Sequence, residues 1–333
     1  MIAKTFRLMA AVAGAGALMA AGATAQTIKW DMPNEYQASS IHGEGDTWFG
    51  KKLKETSGGK IEIIHHFGGA LGYKSAQQLD AVADGAVPLA DSYVGAFGGI
   101  EPIFLLPSLP FLAATIDEAR ILYEVARPYY DKAFAKHNQK LLYATPWPPS
   151  GIWAKKPVDS LAALKNLKIR TYDRNGTITL KAAGAAAVKL SWADVVPQLG
   201  TGAIQAVLTS AEGGVNAKFW EHVNYFTEIN YAAPLSMVHI NLDVWNGLSP
   251  ELQKAVSEAA AATEDRNWNE VKGRRVRNYK TLAEHGVTVV RGVSSEYLAA
   301  LSKAGQVALN DWLKKMGPDG EALMAEYKKR TGK

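Results

Sequence analysis

The residues best suited to chemistry in this chain lie within residues 166–210. Arg170 ends a short strand-like run, Lys168-Ile169-Arg170, and Thr209-Ser210 end a β-branched apolar run over residues 204–208. An arginine at a strand end offers a planar fork of N–H donors that matches a carboxylate bidentately. In an open α/β sheet, ligands occupy the crevice outside the carboxyl ends of the strands. The pairing therefore points to a carboxylate-binding cleft; the alternative is a surface arginine paired with a nearby acid. A matching set stands in the N-terminal half. Asp91 and Tyr93 lie at the carboxyl end of a run over residues 87–94, and Glu35-Tyr36 follow a first alternating run over residues 27–32. Glu212, just past Ser210, is a further ligand-binding candidate, with a catalytic acid or a plain loop residue as the alternatives.

The elements that must position these groups alternate between strand and helix. Around Arg170 the pattern predicts a turn at Asp173-Arg174-Asn175-Gly176, then a helix over residues 177–183 stopped by Gly184. After an extended segment at 188–190, Ser191 is expected to cap a helix beginning at Trp192, with Asp194 as the capping-box carboxylate. Residues 211–214 read as a flexible turn and residues 225–231 as a strand. Upstream, residues 41–56 form an amphipathic helix, and residues 115–137 form a helix that Pro128 should kink. A strand over residues 140–147 leads to Pro148-Pro149, the expected crossover between lobes. Downstream, residues 235–242 return as an extended segment. Ser249 caps a helix with Pro250 at its first position, and helix-compatible sequence continues to about Gly286. At 1.5 Å per residue that helix is roughly 50 Å long, enough to cross two lobes.

Composition narrows the function classes. The chain has 333 residues, 47% hydrophobic and 21% charged, as in ordinary globular proteins large enough for two α/β lobes. It has no cysteine, which excludes disulfides, thiolate zinc sites and thiol catalysis. Residues 1–25 read as a cleaved secretory signal: Lys4 and Arg7, an apolar Ala-rich stretch, then Ala23-Thr24-Ala25. Removing those two cations lowers the net charge from +5 to +3, with both signs interspersed. The basic run Lys272-Gly273-Arg274-Arg275-Val276-Arg277 has no interleaved aromatics and reads as a solvated helix face, not a nucleic-acid arm. His65 and His66 are adjacent on a strand, so they point to opposite faces and cannot readily share a metal. The glycine-rich residues 67–72 lack the G-x-G-x-x-G spacing of a dinucleotide loop. An exported enzyme is the rival class, yet Ser210 has no G-x-S-x-G elbow and no H-E-x-x-H is present.

The order and spacing of several stretches resemble one family across residues 27–331. They are SGGKIEI before GGALG (57–63 and 68–72), LAALKNLKIR ending in Arg170, ADVVPQLGTGAIQAV (193–207) and LSPELQKAVSEAAAATE (248–264). Together they are similar to the solute-binding proteins of tripartite ATP-independent periplasmic (TRAP) transporters, the dicarboxylate-binding-protein family. The resemblance implies an α/β, two-lobe clamshell fold with a long helix spanning both lobes, closing over an organic acid in the periplasm. It implies delivery to membrane permease subunits, no enzymatic activity, no cofactor and no nucleic acid, and a monomer is assumed. The expected division is a signal at 1–25, lobe I at 26–150, lobe II at 151–234, the return and long helix at 235–290, and C-terminal helices at 291–333. The family's carboxylate-binding arginine falls on Arg170, its helix-start aromatic on Trp192 and its strand-end polar residue near Thr209. Here the stretch reads Val207-Leu208-Thr209-Ser210, a hydroxyl where the family commonly has an amide, and Ser150 stands where several members have a second arginine. Those departures favour a ligand with one carboxylate, or one whose far end meets aromatics and hydroxyls. Trp147, Trp153, Tyr172, Trp192 and Tyr93 are the candidate walls. Glu35, Tyr36, Asp91 and Tyr93 on the first lobe are expected to complete the site.

Overall fold

The strands sort into three sheets, two small ones that make one lobe and a six-stranded one that makes the other. The computed structural model describes residues 27–332, so the segment read as an export signal lies outside the described residues. In chain order the strands are β1 (Ile28–Pro33), β2 (Ile61–His66), β3 (Leu89–Tyr93), β4 (Gln139–Pro146), β5 (Ser150–Ala154), β6 (Lys168–Thr171), β7 (Ala186–Lys189), β8 (Ala206–Ser210), β9 (Tyr225–Thr227), β10 (Leu235–Asn241) and β11 (Thr288–Val290). Lobe I holds the parallel pair β1–β2 and the antiparallel set β3-β10-β4, stitched by a bridge between Asn34 and Asp91. Lobe II is one sheet in the order β11-β9-β5-β8-β6-β7, with β6 parallel to both β7 and β8. That arrangement puts the carboxyl ends of β6 and β8, and with them Arg170, Thr209 and Ser210, at one edge of the sheet.

Two of the segments that join the lobes run side by side. Trp147 N–H donates to the Pro234 carbonyl (2.9 Å), Ser150 N–H to Ala232 (2.9 Å) and Tyr231 N–H to Ser150 (2.9 Å). These bonds make the hinge a short two-stranded ribbon instead of two free linkers. The helix Pro250–Glu284 crosses the whole molecule, capped by the Ser249 side chain on Leu252 N–H. Val256, Ala259 and Ala260 enter one lobe I core, Trp268 the other, and Leu282 the core of lobe II. Burial on three cores offsets the weak helix propensity of Gly273, and the helix runs through it unbroken.

Several local expectations are corrected by tertiary contacts. The helix Ile116–Lys136 passes through Pro128 without interruption, held by buried Tyr123, Ala126, Tyr130 and Phe134 on either side. Asp173 opens the helix Arg174–Ala182 as its N-cap, accepting from Gly176 N–H, so the expected turn is the first turn of that helix. Ser191 makes no side-chain cap; Trp192–Asp194 is a 3-10 turn ahead of a short helix Val195–Gly200. Asp194 instead pairs with Lys74 (2.8 Å) on lobe I. Residues 211–214 are no flexible turn but part of the helix Ala211–Asn216, capped by Ser210 Oγ on Gly213 N–H. In the basic run, Arg274 is buried while its neighbours are surface pairs, because Glu44 and Glu212 face it from both lobes. β9 is shorter than the strand expected at 225–231 because the chain after Thr227 turns into the hinge.

The helix Ala211–Asn216 lies so close to the lobe II core that only glycine fits at 214. A Cβ there would collide with the fully buried Trp153 indole. Gly214→Ala is expected to destabilise the protein by about 1–3 kcal/mol, the usual scale of overpacking, read as a lower urea midpoint with an unchanged slope.

Candidate ligand-binding site

Arg170 sits near the end of β6 with its side chain 2% exposed. Its Nε donates to the Leu190 carbonyl (3.0 Å), which fixes the guanidinium plane. Trp192 and Tyr172 flank that plane, their ring centres 5.7 and 6.0 Å from Cζ. Among the described residues Arg170 forms no ion pair, so the expectation of a surface arginine with an acid partner does not hold. Burial pulls its pKa down, opposed by the nearby Tyr36 and Glu35. Arg170 also lines a narrow cavity of about 20 Å³. Besides Arg170, its walls are Tyr36 and Tyr93 from lobe I, Tyr172, Trp192, Thr209 and Ser210 from lobe II, and Trp147, Ser150 and Pro234 from the hinge. Arg170 is the only charged residue in that lining.

Each wall is held from behind. Trp147 Nε1 donates to Ser236 Oγ (3.2 Å), and its ring stacks on His42 at 3.9 Å. Burial lowers the His42 pKa to about 3, so the ring under Trp147 is neutral at physiological pH. Tyr93 Oη donates to Asp173 Oδ2 (2.7 Å), across the lobes. Tyr36 is placed by a loop braced twice from the glycine-rich segment: Gly68 N–H donates to the Tyr36 carbonyl (2.8 Å) and Gly69 N–H to the Asn34 carbonyl (3.0 Å). Gly68 and Gly69 have φ of +66° and +72°, a region that side chains rarely adopt. A larger opening of about 390 Å³ lies at the opposite, amino-terminal ends of β6 and β8, between Lys155 and His222. It contains no buried charge, and in open α/β sheets the carboxyl ends hold the ligand.

The amino-acid sequence of residues 34–315 matches the family described as "Bacterial extracellular solute-binding protein, family 7". The chain belongs to that family. This solute-binding protein is 31% identical to DctP6, an extracytoplasmic solute receptor of Bordetella pertussis that binds pyroglutamic acid. The structures share a TM-score of 0.87, over 90% of this chain and 99% of that one. A TRAP solute-binding protein from a marine metagenome, specific for pyroglutamate, matches equally well, at 31% identity and TM-score 0.87 over 91% and 99% of the two chains. The ectoine/5-hydroxyectoine-binding periplasmic protein UehA of Ruegeria pomeroyi is 28% identical over 77% of this chain and 76% of its own length. The family consists of substrate-binding receptors that work with membrane permease subunits in the periplasm. No helix among the described residues is long and apolar enough to cross a membrane.

In this solute-binding protein the structure brings together Arg170, Trp192, Thr209, Ser210, Tyr36, Tyr93 and Trp147 around one cavity. It directs the three expected carboxylates elsewhere. Glu35 Oε2 accepts from Ser75 N–H (2.9 Å) and Ser75 Oγ (2.8 Å), and its Oε1 accepts from Ala193 N–H (3.1 Å) across the lobes. Glu212 accepts from Ile41 N–H (2.9 Å) and Asn278 Nδ2 (2.8 Å). Asp91 lies behind Tyr36 beside a second buried acid, Asp46. Trp153 is core, with Nε1 on the Ser210 carbonyl (3.1 Å). Pro234 and Asp173 were not anticipated; the hinge prolines and the cap position of Asp173 were the available signals. His66 binds Asp31 (2.7 Å) and His65 stacks on Phe67.

Asp46 and Asp91 share one donor. Asn34 Nδ2 donates to Asp46 Oδ2 (2.7 Å) and Asp91 Oδ2 (3.0 Å), while Asn34 Oδ1 accepts from Tyr36 N–H. Both acids are buried and neither forms an ion pair among the described residues. Burial raises the Asp46 pKa to about 7; burial and the Asp46 charge raise that of Asp91 well above its usual value. A native state that holds protons the unfolded chain releases loses stability as pH rises from the ordinary carboxylate range, about 4, toward the raised value. Urea unfolding should therefore show a stability term that falls between about pH 4 and pH 7, and Asp46→Asn should flatten it. An identical pH slope in the variant would remove the pair as its source.

Proposed function

We propose that this protein is the periplasmic receptor of a TRAP transporter for a small cyclic monocarboxylate, with pyroglutamate the first candidate. The observation that carries this reading is a buried guanidinium with no counter-ion among the described residues, lining a cavity with no other charged residue in its wall. A ligand carboxylate supplies the missing partner, and charge-assisted bonds in a site shielded from water are the strong ones. The lining offers no second cation, which disfavours dicarboxylates. It offers no carboxylate either, so a zwitterion such as ectoine would leave its positive end with only aromatic faces. A lactam is neutral beyond its carboxylate, and its flat ring and amide suit the aromatic and hydroxyl walls. The likeness to pyroglutamate-binding receptors supports the same choice.

In this reading the lobes, divided near residues 150 and 234, close on the hinge ribbon with the acid between them. The closed monomer then presents its ligand to the permease subunits. Arg170 takes the carboxylate, Trp192, Trp147 and the tyrosines hold the ring, and Ser150, Thr209 and Ser210 are within the polar reach of the amide. Calorimetry with purified protein should give one pyroglutamate bound per chain and no turnover. Arg170→Ala should weaken binding by at least ~2 kcal/mol, roughly 30-fold. Arg170→Lys should recover little, since an ammonium cannot keep both the Leu190 bond and a bidentate carboxylate. Unchanged affinity in Arg170→Ala would end the role of Arg170, and tighter binding of a dicarboxylate would end the monocarboxylate assignment.

A further inference from the structure

We infer that Glu212 is a positioning residue for ligand capture, a latch that holds the lobes shut from outside the cavity. Glu212 is 1% exposed and is not part of the cavity lining. Its partners come from three bodies. From lobe I comes Ile41 N–H, donating to Oε1 at 2.9 Å. From its own helix on lobe II comes Asn216 Nδ2 (3.2 Å). From the long helix come Asn278 Nδ2 on Oε2 (2.8 Å) and Arg274 Nη1 (3.6 Å). Arg274 also pairs with Glu44 of lobe I, and Ser39 Oγ donates to Asn216 Oδ1 (2.9 Å) beside the latch.

The Ile41 bond has the geometry of a helix cap. Ile41 is the first residue of the helix Ile41–Thr56, and its N–H is one of the four that no helix can satisfy internally. Ser40, the cap residue, spends its own hydroxyl on Gly43 N–H. The first turn of a lobe I helix is thus completed by a carboxylate from lobe II, which also meets the positive end of the helix dipole. When the lobes part, Asn278 and Arg274 can stay with the carboxylate and water can take the Ile41 N–H. Both states are satisfied, and the bond is made only on closing. Glu35 forms the reciprocal clasp, from lobe I to Ala193 N–H on lobe II, but it borders Tyr36 and Trp192 in the cavity wall. Glu212 is outside the cavity lining, so its effect on affinity is assigned to the lobe equilibrium.

This inference rests on the proposed receptor function, and the test separates the two. Glu212→Ala removes the acceptor. Ile41→Pro removes the donor, its ring Cδ replacing the N–H hydrogen that faces Glu212, while Asn216, Asn278 and Arg274 stay in place; proline is favoured at the first helical position, and Ser40, with ψ of 157°, already has the extended backbone that precedes it. Pyroglutamate affinity and dissociation rate are measured for wild type, both single variants and the double variant. Each single variant should bind about ten-fold more weakly through faster dissociation, the scale of one charged hydrogen bond. The double should be no weaker than the worse single, since the second change has nothing left to remove. Additive losses, or unchanged affinity in both single variants, overturn the latch. Spin-label distances between the lobes of the ligand-free wild type and Glu212→Ala provide a readout that needs no ligand. If wild type ignores pyroglutamate, the ligand assignment fails on its own. A smaller closed population in the variant then still supports the latch, and an unchanged distribution overturns it.

Discussion

The constraint on which the structure turns is a positive charge buried without a negative one. A guanidinium taken out of water loses several kcal/mol of solvation, and only a well-placed anion restores it. Five acids are buried among the described residues, and two of them, Glu35 and Asp173, lie near enough to interact with the Arg170 charge. Each is committed elsewhere. Glu35 serves the N–H groups of Ser75 and Ala193, Asp173 caps its own helix and accepts from Tyr93, Glu212 receives Ile41 and Asn278, and Asp91 is held with Asp46 by Asn34. Arg170 itself is tethered by the Leu190 carbonyl, a neutral acceptor that orients it and leaves its charge uncancelled. A protein ion pair at this point would have made a more conventional core and left no site.

The division of labour between acids and neutral walls follows from that constraint. Side chains that contact the cavity are aromatic, hydroxyl or proline, while the acids work one layer behind, fastening loops and joining lobes. On the proposed reading, discrimination comes partly from what the cavity lacks. A second carboxylate on a ligand would be desolvated with no cation to meet it, and a cationic group with no anion, so each wrong ligand meets a cost that the right one avoids. The walls are rigid because their supports are buried. Trp147 stands on a neutral histidine, Tyr36 on a glycine-braced loop and Tyr93 on the cap residue of a lobe II helix.

How much of this was legible in the sequence depends on how local its cause is. Arg170 at the end of β6, the hydroxyls ending β8, Ser249-Pro250 opening the long helix and Gly184 ending a short one all follow from neighbours a few residues away, and they stand as read. The carboxylates could not be assigned that way. Residue type marks Glu212 as a group able to bind something, but its donor is Ile41, a backbone N–H from the other lobe. Asp194 had a local role available as a capping-box acid and took a distant one with Lys74 instead. Pro128 shows the same competition in the backbone, where a missing N–H costs less than disrupting the packing of Tyr123, Ala126 and Tyr130 would. Secondary structure was local enough to read, whereas the partner of each buried charge was set by which surfaces the fold brings together.

On the proposed mechanism, closure is a balance of two terms of opposite sign. The clasps favour the shut form; a charged hydrogen bond contributes about 1.5–3 kcal/mol, and the buried Glu35, Glu212 and Asp173 each span the lobes, while the exposed Lys74–Asp194 pair adds little. Sealing Arg170 in an empty cavity opposes it, by several kcal/mol for an unpaired ion. Terms of similar size and opposite sign leave the empty receptor near balance, free to open. A bound carboxylate reverses the second term and leaves the first untouched. The ligand therefore need not pull the lobes together through contacts on both; it has only to cancel the charge that holds them apart. That explains how an acid with few atoms can close a two-lobed protein, since the clasps already made by the chain supply the remainder.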